Sequence, residues 1–170
     1  MTSADTQRQW WYRRFRGAAF ASVMGSLVWT VLMVLPFPPF SYLPPIIVGG
    51  GPGTWFLLAY LLALAVGVAG FGAISSFLYA IEVHENRTVS STVMWPALVL
   101  LCAGFVSGCL LLALAGASGG YASTIGNASG TSVENLLQPY VYPVTVSTLV
   151  AVVGAALALY GMMRARWAAV

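Results

Sequence analysis

Apolar residues fill four stretches of this chain, and polar residues fall between them. Gly17 to Leu35, about Thr54 to Ile81, about Thr92 to Ala117 and about Tyr140 to Met163 contain no Asp, Glu, Lys, Arg or His. A helix needs about 20 apolar residues to cross the hydrocarbon core, and each stretch meets that requirement. The second and third exceed it and are expected to tilt or to protrude into water. The pattern predicts an all-α integral membrane protein: a four-helix transmembrane bundle over residues 17–170, preceded by an interfacial segment over residues 1–16. The first span is closed by Pro36, and no loop is long enough to hide a soluble catalytic domain.

Composition agrees. Charged residues make up 6% of the 170-residue chain and hydrophobic ones 59%. A soluble domain carries about 25% charged residues, so this chain lacks the means to cover a water-facing surface. Charge placement then sets the orientation. Arg8, Arg13, Arg14 and Arg16 precede the first span, Arg87 lies between the second and third, and Arg164 and Arg166 follow the fourth. Threading four spans puts all seven on one side, which the positive-inside rule makes the cytoplasm. Both termini are therefore expected inside a multi-pass cell-membrane protein. The opposite loops carry Glu134 as their only charge.

The first span has a basic flank like a signal peptide, but no small-x-small cleavage site follows it, and it reads as a retained helix. Before it, "QWWYRRFR" interleaves Trp10 and Trp11 with Arg13, Arg14 and Arg16. Aromatic rings favour the headgroup layer and arginines pair with lipid phosphate there, so this segment is expected to be an interfacial anchor. A nucleic-acid site would need a larger basic surface. On the outer side, five prolines between residues 36 and 48 are expected to forbid regular helix. The apolar side chains among them point to a partner subunit, the lipid interface or a fold back over the bundle itself. Residues 118–139 read as a polar outer loop. Its "NAS" makes Asn127 a candidate glycosylation acceptor, whereas Asn86 in "NRT" lies on the opposite side.

Helices associate in lipid through close approach at small residues. Ala59, Ala63 and Gly67, followed by Gly70, supply such a stripe in the second span. Gly104 and Gly108 supply one in the third, and Gly154 and Ala158, then Gly161, in the fourth. A bundle with a close external neighbour would use all three. Cys102 and Cys109 are about 10 Å apart along a helix, beyond the Cα separation of about 7 Å that a disulfide tolerates. They read as small buried residues.

Chemistry has few places to sit. Pumps, ion-coupled transporters and voltage sensors place ionisable groups inside the membrane, and these spans carry none. Bis-histidine haem needs two histidines, and His84 is the only one. The chain alone also lacks the ligands for a zinc or copper site. The one polar knot is "IEVHENR", with Glu82, His84, Glu85 and Arg87. If helix continues through it, Glu82 and Glu85 share a face. It reads either as a solvated helix end with a loose Glu85–Arg87 pair, or as a contact to a neighbouring subunit, the lip of a quinone headgroup pocket, or a metal site.

The stretch from residue 49 to 82, "GGGPGTWFLLAYLLALAVGVAGFGAISSFLYAIE", resembles the small hydrophobic subunits of archaeal haem-copper terminal oxidases. Pro52, Trp55, Phe56, Gly67, Gly70, Phe71 and Tyr79 carry the likeness. It covers about a fifth of the chain, and the stretch is also, more weakly, similar to the early helices of the oxidase's catalytic subunit. That subunit needs in-membrane histidines that are missing here, so the resemblance implies no catalytic role for any residue. It implies an accessory subunit that binds no cofactor alone, beside larger membrane subunits holding haem and copper. Two other readings stay open. One is a quinone- or lipid-binding protein using Trp55, Tyr60, Tyr79 or His84. The other is a self-assembling tetraspan or small channel.

Overall fold

The computed structural model describes residues 10–167, with Trp167 described at the backbone only. Arg8 and the rest of residues 1–9 lie outside them. Four helices are long and apolar enough to cross a membrane: α1 (Trp11–Val34), α3 (Gly53–His84), α4 (Ser91–Thr124) and α5 (Gly130–Met163). Between α1 and α3 come a 3₁₀ turn, Phe40–Tyr42, and a short helix, α2 (Leu43–Val48). Two short strands, β1 (Arg87–Thr88) and β2 (Arg166–Trp167), pair antiparallel, with Arg87 opposite Trp167 and Thr88 opposite Arg166. The fold is all-α apart from this ribbon and fits a multi-pass membrane protein.

Consecutive long helices are neighbours. The most extensive seam joins α4 to α5, while α1 packs chiefly on α3 and shares no extended contact with α5. The arrangement is therefore open on the side between α1 and α5. An aromatic ladder knits three helices together: Phe15 of α1 lies 6.2 Å from Phe71 of α3, which lies 5.8 Å from Phe105 of α4. Trp11, Leu78, Met94, Ala97 and Ala158 extend this core toward the arginine-rich end.

Several boundaries differ from those expected. Helix α1 begins at Trp11 rather than Gly17, so the aromatic-basic segment is largely the first turns of the span helix. The proline-rich stretch does hold a regular helix, because Pro44 and Pro45 sit in the first turn of α2, where backbone N–H groups have no intrahelical acceptor to lose. The outer loop over residues 118–139 shrinks to residues 125–129. Ser129 caps α5, its hydroxyl accepting from Ser132 N at 3.4 Å. The first turns of α5 are held by packing, with Val133 buried and Leu137 against Gly119. Pro139 and Pro143 stay inside the helix, as membrane helices tolerate when neighbours satisfy the freed carbonyls.

Candidate functional site

At the arginine-rich end, α3 runs through the polar knot as far as His84 and closes in a wide π turn, Glu85 N donating to Ala80 O at 3.0 Å. This turn separates the two glutamates. Glu82 is 3% exposed, whereas Glu85 is in solvent, so the expected shared face does not form. The carboxylate of Glu82 reaches the start of α1. Its Oε1 accepts from Trp11 N and its Oε2 from Tyr12 N, both at 3.2 Å. The first turn of a helix leaves its N–H groups without partners and carries a partial positive charge. Trp10, at the N-cap position, supplies no side-chain cap. Glu82 therefore caps α1 from another helix. Ser75 adds a second tie, its hydroxyl donating to Tyr12 O at 2.9 Å.

Around this cap the expected anchor residues divide. Trp11 is fully buried, a core residue rather than a headgroup anchor, because Glu82 holds its backbone and Trp95 packs edge-on 5.5 Å from its ring. Trp10 is half-buried. Arg13, Arg14 and Arg16 are exposed. The Arg14 guanidinium sits 4.4 Å over Trp95 and 5.2 Å over Trp11. Arg13 and Arg16 each lie 5.8 Å over Tyr12. Tyr12 in turn meets Tyr79, and Tyr79 meets the exposed His84 edge-on at 5.4 Å. Arg87 pairs with Glu85 at 3.2 Å, a partly exposed pair of little energetic weight. It also donates to Ala165 O, which ties β1 to the end of α5.

The small residues singled out in the sequence lie mostly inside the molecule. Ala59, Ala63, Gly67, Gly104, Gly108, Gly154 and Ala158 are buried, and Gly70 is half-buried. Their contacts are within this chain rather than toward an external neighbour. A Cβ on Gly104 would lie 2.9 Å from Ala151 Cα, and one on Gly154 would lie 2.8 Å from Leu101 Cα, so neither backbone can admit one. At Gly108 the same atom would meet only Ser147 Cβ, at an ordinary 3.7 Å. Sequence reasoning missed Gly116, whose Cβ would lie 2.7 Å from Phe56 Cα where α3 crosses α4. Its i, i+4 partner Gly120 was the available signal.

Trp55, Tyr60, Tyr79 and His84 do not share one site. Tyr79 and His84 stand at the arginine-rich end. Trp55 is roughly 35 Å away along α3 at about 1.5 Å per residue, beside Pro52 and Leu137. The Tyr60 hydroxyl bonds Thr30 Oγ1 at 2.8 Å. Two adjoining cavities lie elsewhere, along the gap between α1 and α4. The outer, of about 740 Å³, is lined by Trp29, Phe40, Tyr42, Ile46, Phe56 and Tyr121 among others. The deeper, of about 350 Å³, reaches Ser22, Ser26, Cys102, Phe105 and Cys109. Asn127 is exposed in the turn between α4 and α5, at a φ of 47°. No cluster of His, Cys, Asp and Glu among the described residues is arranged to hold a metal ion. Set against known protein families, curated proteins and solved structures, the chain matches none.

Proposed function

We propose that this chain is a non-catalytic accessory subunit of a larger respiratory membrane complex in the cell membrane, with both termini cytoplasmic. The resemblance of residues 49–82 to small oxidase subunits makes a haem-copper terminal oxidase the complex of choice, its haem and copper held by the partner subunits. The observation that carries the reading is the outward face of α3. Over two turns it is flat: Ala65, Ala69 and Ala73 recur at four-residue spacing, all exposed, with the exposed Leu61 and Phe77 at either end of the line. Gly72 beside them has nothing within 4 Å of where its Cβ would be. A helix surface this flat lets a partner backbone approach closely, which is how helices bind in lipid. The inner stripe of α3 faces α1 and α4, so this second stripe is the surface left for a neighbour. Segregation of the arginines supports the orientation.

The test is a pull-down through a C-terminal tag from gently solubilised native membranes, with a reduced-minus-oxidised spectrum and mass spectrometry of the eluate. Haem absorbance and large oxidase subunits in stoichiometric amount are expected with the wild type and lost with Ala69→Phe. A colourless wild-type eluate containing this chain alone would discard the reading in favour of a self-assembling protein.

A further inference from the structure

Two tripeptides meet where α5 ends and α4 begins. Arg164, Ala165 and Arg166 leave α5, and Thr88, Val89 and Ser90 lead into α4. Each reads polar, apolar, polar. Val89 is 8% exposed and Ala165 5%, so both middle residues turn into the core, while the outer residues are all exposed. The ribbon brings the outer residues together. Thr88 stands directly opposite Arg166, and opposite residues of an antiparallel pair share a face. Alternation along the strand puts Ser90 on the face of Thr88. Arg164, at the C-cap of α5, has its guanidinium 5.2 Å over the Tyr160 ring. The result is a cleft of about 330 Å³, walled by Thr88, Ser90, Tyr160, Arg164 and Arg166 above a floor of Val93 and Gly161.

Two positive charges share this cleft, and no carboxylate among the described residues answers them. Glu82 caps α1, Glu85 pairs with Arg87, and Glu134 lies at the other end of α5. The helix ends do not decide the sign, since the C-terminus of α5 and the N-terminus of α4 meet here with opposite partial charges. The hydroxyls are available as well. Thr88 reaches Arg166 O only at 3.4 Å, and Ser90, at the N-cap position of α4, makes no side-chain cap. Paired guanidiniums with hydroxyls beside them suit the oxygens of a phosphate. The cleft lies just past the last apolar turn of α5, where Leu159 and Met163 are exposed, which is headgroup depth for a helix that spans the bilayer.

We propose that this cleft binds the phosphate of an anionic phospholipid, with Arg164, Arg166, Thr88 and Ser90 donating to its oxygens. Inorganic phosphate offers the same oxygens, but the depth of the cleft favours the lipid. The inference is independent of the accessory-subunit reading, since it uses the ribbon and the ends of α4 and α5 rather than the outward face of α3.

Native mass spectrometry of the full chain in neutral detergent measures the first lipid bound on titration with dioleoyl phosphatidylglycerol or with zwitterionic dioleoyl phosphatidylcholine. The wild type is expected to bind phosphatidylglycerol about tenfold more tightly, the effect of one charge-assisted hydrogen bond. Arg164→Gln with Arg166→Gln should remove that preference. Arg13→Gln with Arg16→Gln, which takes the same charge from the same end but outside the cleft, should keep it. Thr88→Val with Ser90→Ala should weaken phosphatidylglycerol binding about fivefold without changing the charge. Thermal unfolding close to wild type is expected in every variant, because the altered side chains are exposed. Equal loss in the two arginine pairs, or binding untouched by the hydroxyl pair, would overturn the cleft in favour of diffuse attraction to the basic end. Displacement of bound phosphatidylglycerol by millimolar inorganic phosphate, but not by chloride of equal ionic strength, would overturn the lipid and assign the site to the free anion.

Discussion

Replacing Glu82 with Ala tests the cross-helix cap directly. Both oxygens of this carboxylate accept from backbone amides of α1, and the residue is almost fully buried. Hydrogen bonds to charged groups contribute about 1.5–3 kcal/mol each, so leaving both amides buried and unpaired sets an upper bound of about 6 kcal/mol. The protein has a cheaper route. The first turn of α1 can unwind and hydrate its amides, at a cost of about 1 kcal/mol for the lost cap and about 2–3 kcal/mol for exposing the Trp11 ring. The smaller route governs, and the expected destabilisation is about 3 kcal/mol. Glu82→Gln should fall only a little short of Ala, because its amide nitrogen would face one of the N–H donors. Reversible unfolding in mixed micelles measures the loss. Hydrogen exchange locates it, with protection falling at Trp11 and Tyr12 and persisting in the middle of α1. Unchanged exchange at those two amides, whatever the global stability, would refute the cap.

Gly154→Ala should destabilise by about 1–3 kcal/mol, as overpacking at a backbone contact does, whereas Gly108→Ala should be neutral or slightly stabilising because alanine favours helix. Unfolding of the two variants side by side checks the α4–α5 seam, and equal effects would count against it. With both termini inside, a cysteine at Glu134 should react with an impermeant maleimide in intact cells, and one at His84 only after permeabilisation. The reverse pattern would invert the topology. Trp95→Ala should remove the nearer of the two ring contacts of Arg14, at a cost of about 0.5–1 kcal/mol for the cation–π term beyond the lost burial. Arg14→Ala should then cost less in the Trp95→Ala background, where only the Trp11 ring at 5.2 Å remains, than in the wild type, which a double-mutant cycle measures.

The four helices were legible because insertion depends on transfer energy summed over about 20 neighbouring residues, a quantity local in sequence. The small-residue stripes were legible for a related reason, since one face of one helix is a local pattern. Where helices end was less so. Residues 118–124 and 130–139 look polar enough for a loop, yet Val133, Leu137, Gly119 and Gly120 find partners that keep them helical. Nor does spacing say which stripe meets which. Gly104 and Gly154 face the neighbouring backbone, while Ala65, Ala69 and Ala73, equally regular, face outward. The polar knot is the clearest case. Its seven residues admit a wet turn or a site, and only the arrival of α1, about 70 positions earlier in the chain, makes Glu82 a buried cap and leaves His84 and Glu85 in solvent. The cleft at Arg164 and Arg166 is invisible for the same reason: the sequence shows a basic end, and only the pairing of Thr88 with Arg166 sets hydroxyls beside the charges. Sequence determined what crosses the membrane; contacts between distant segments decided which polar atoms are satisfied.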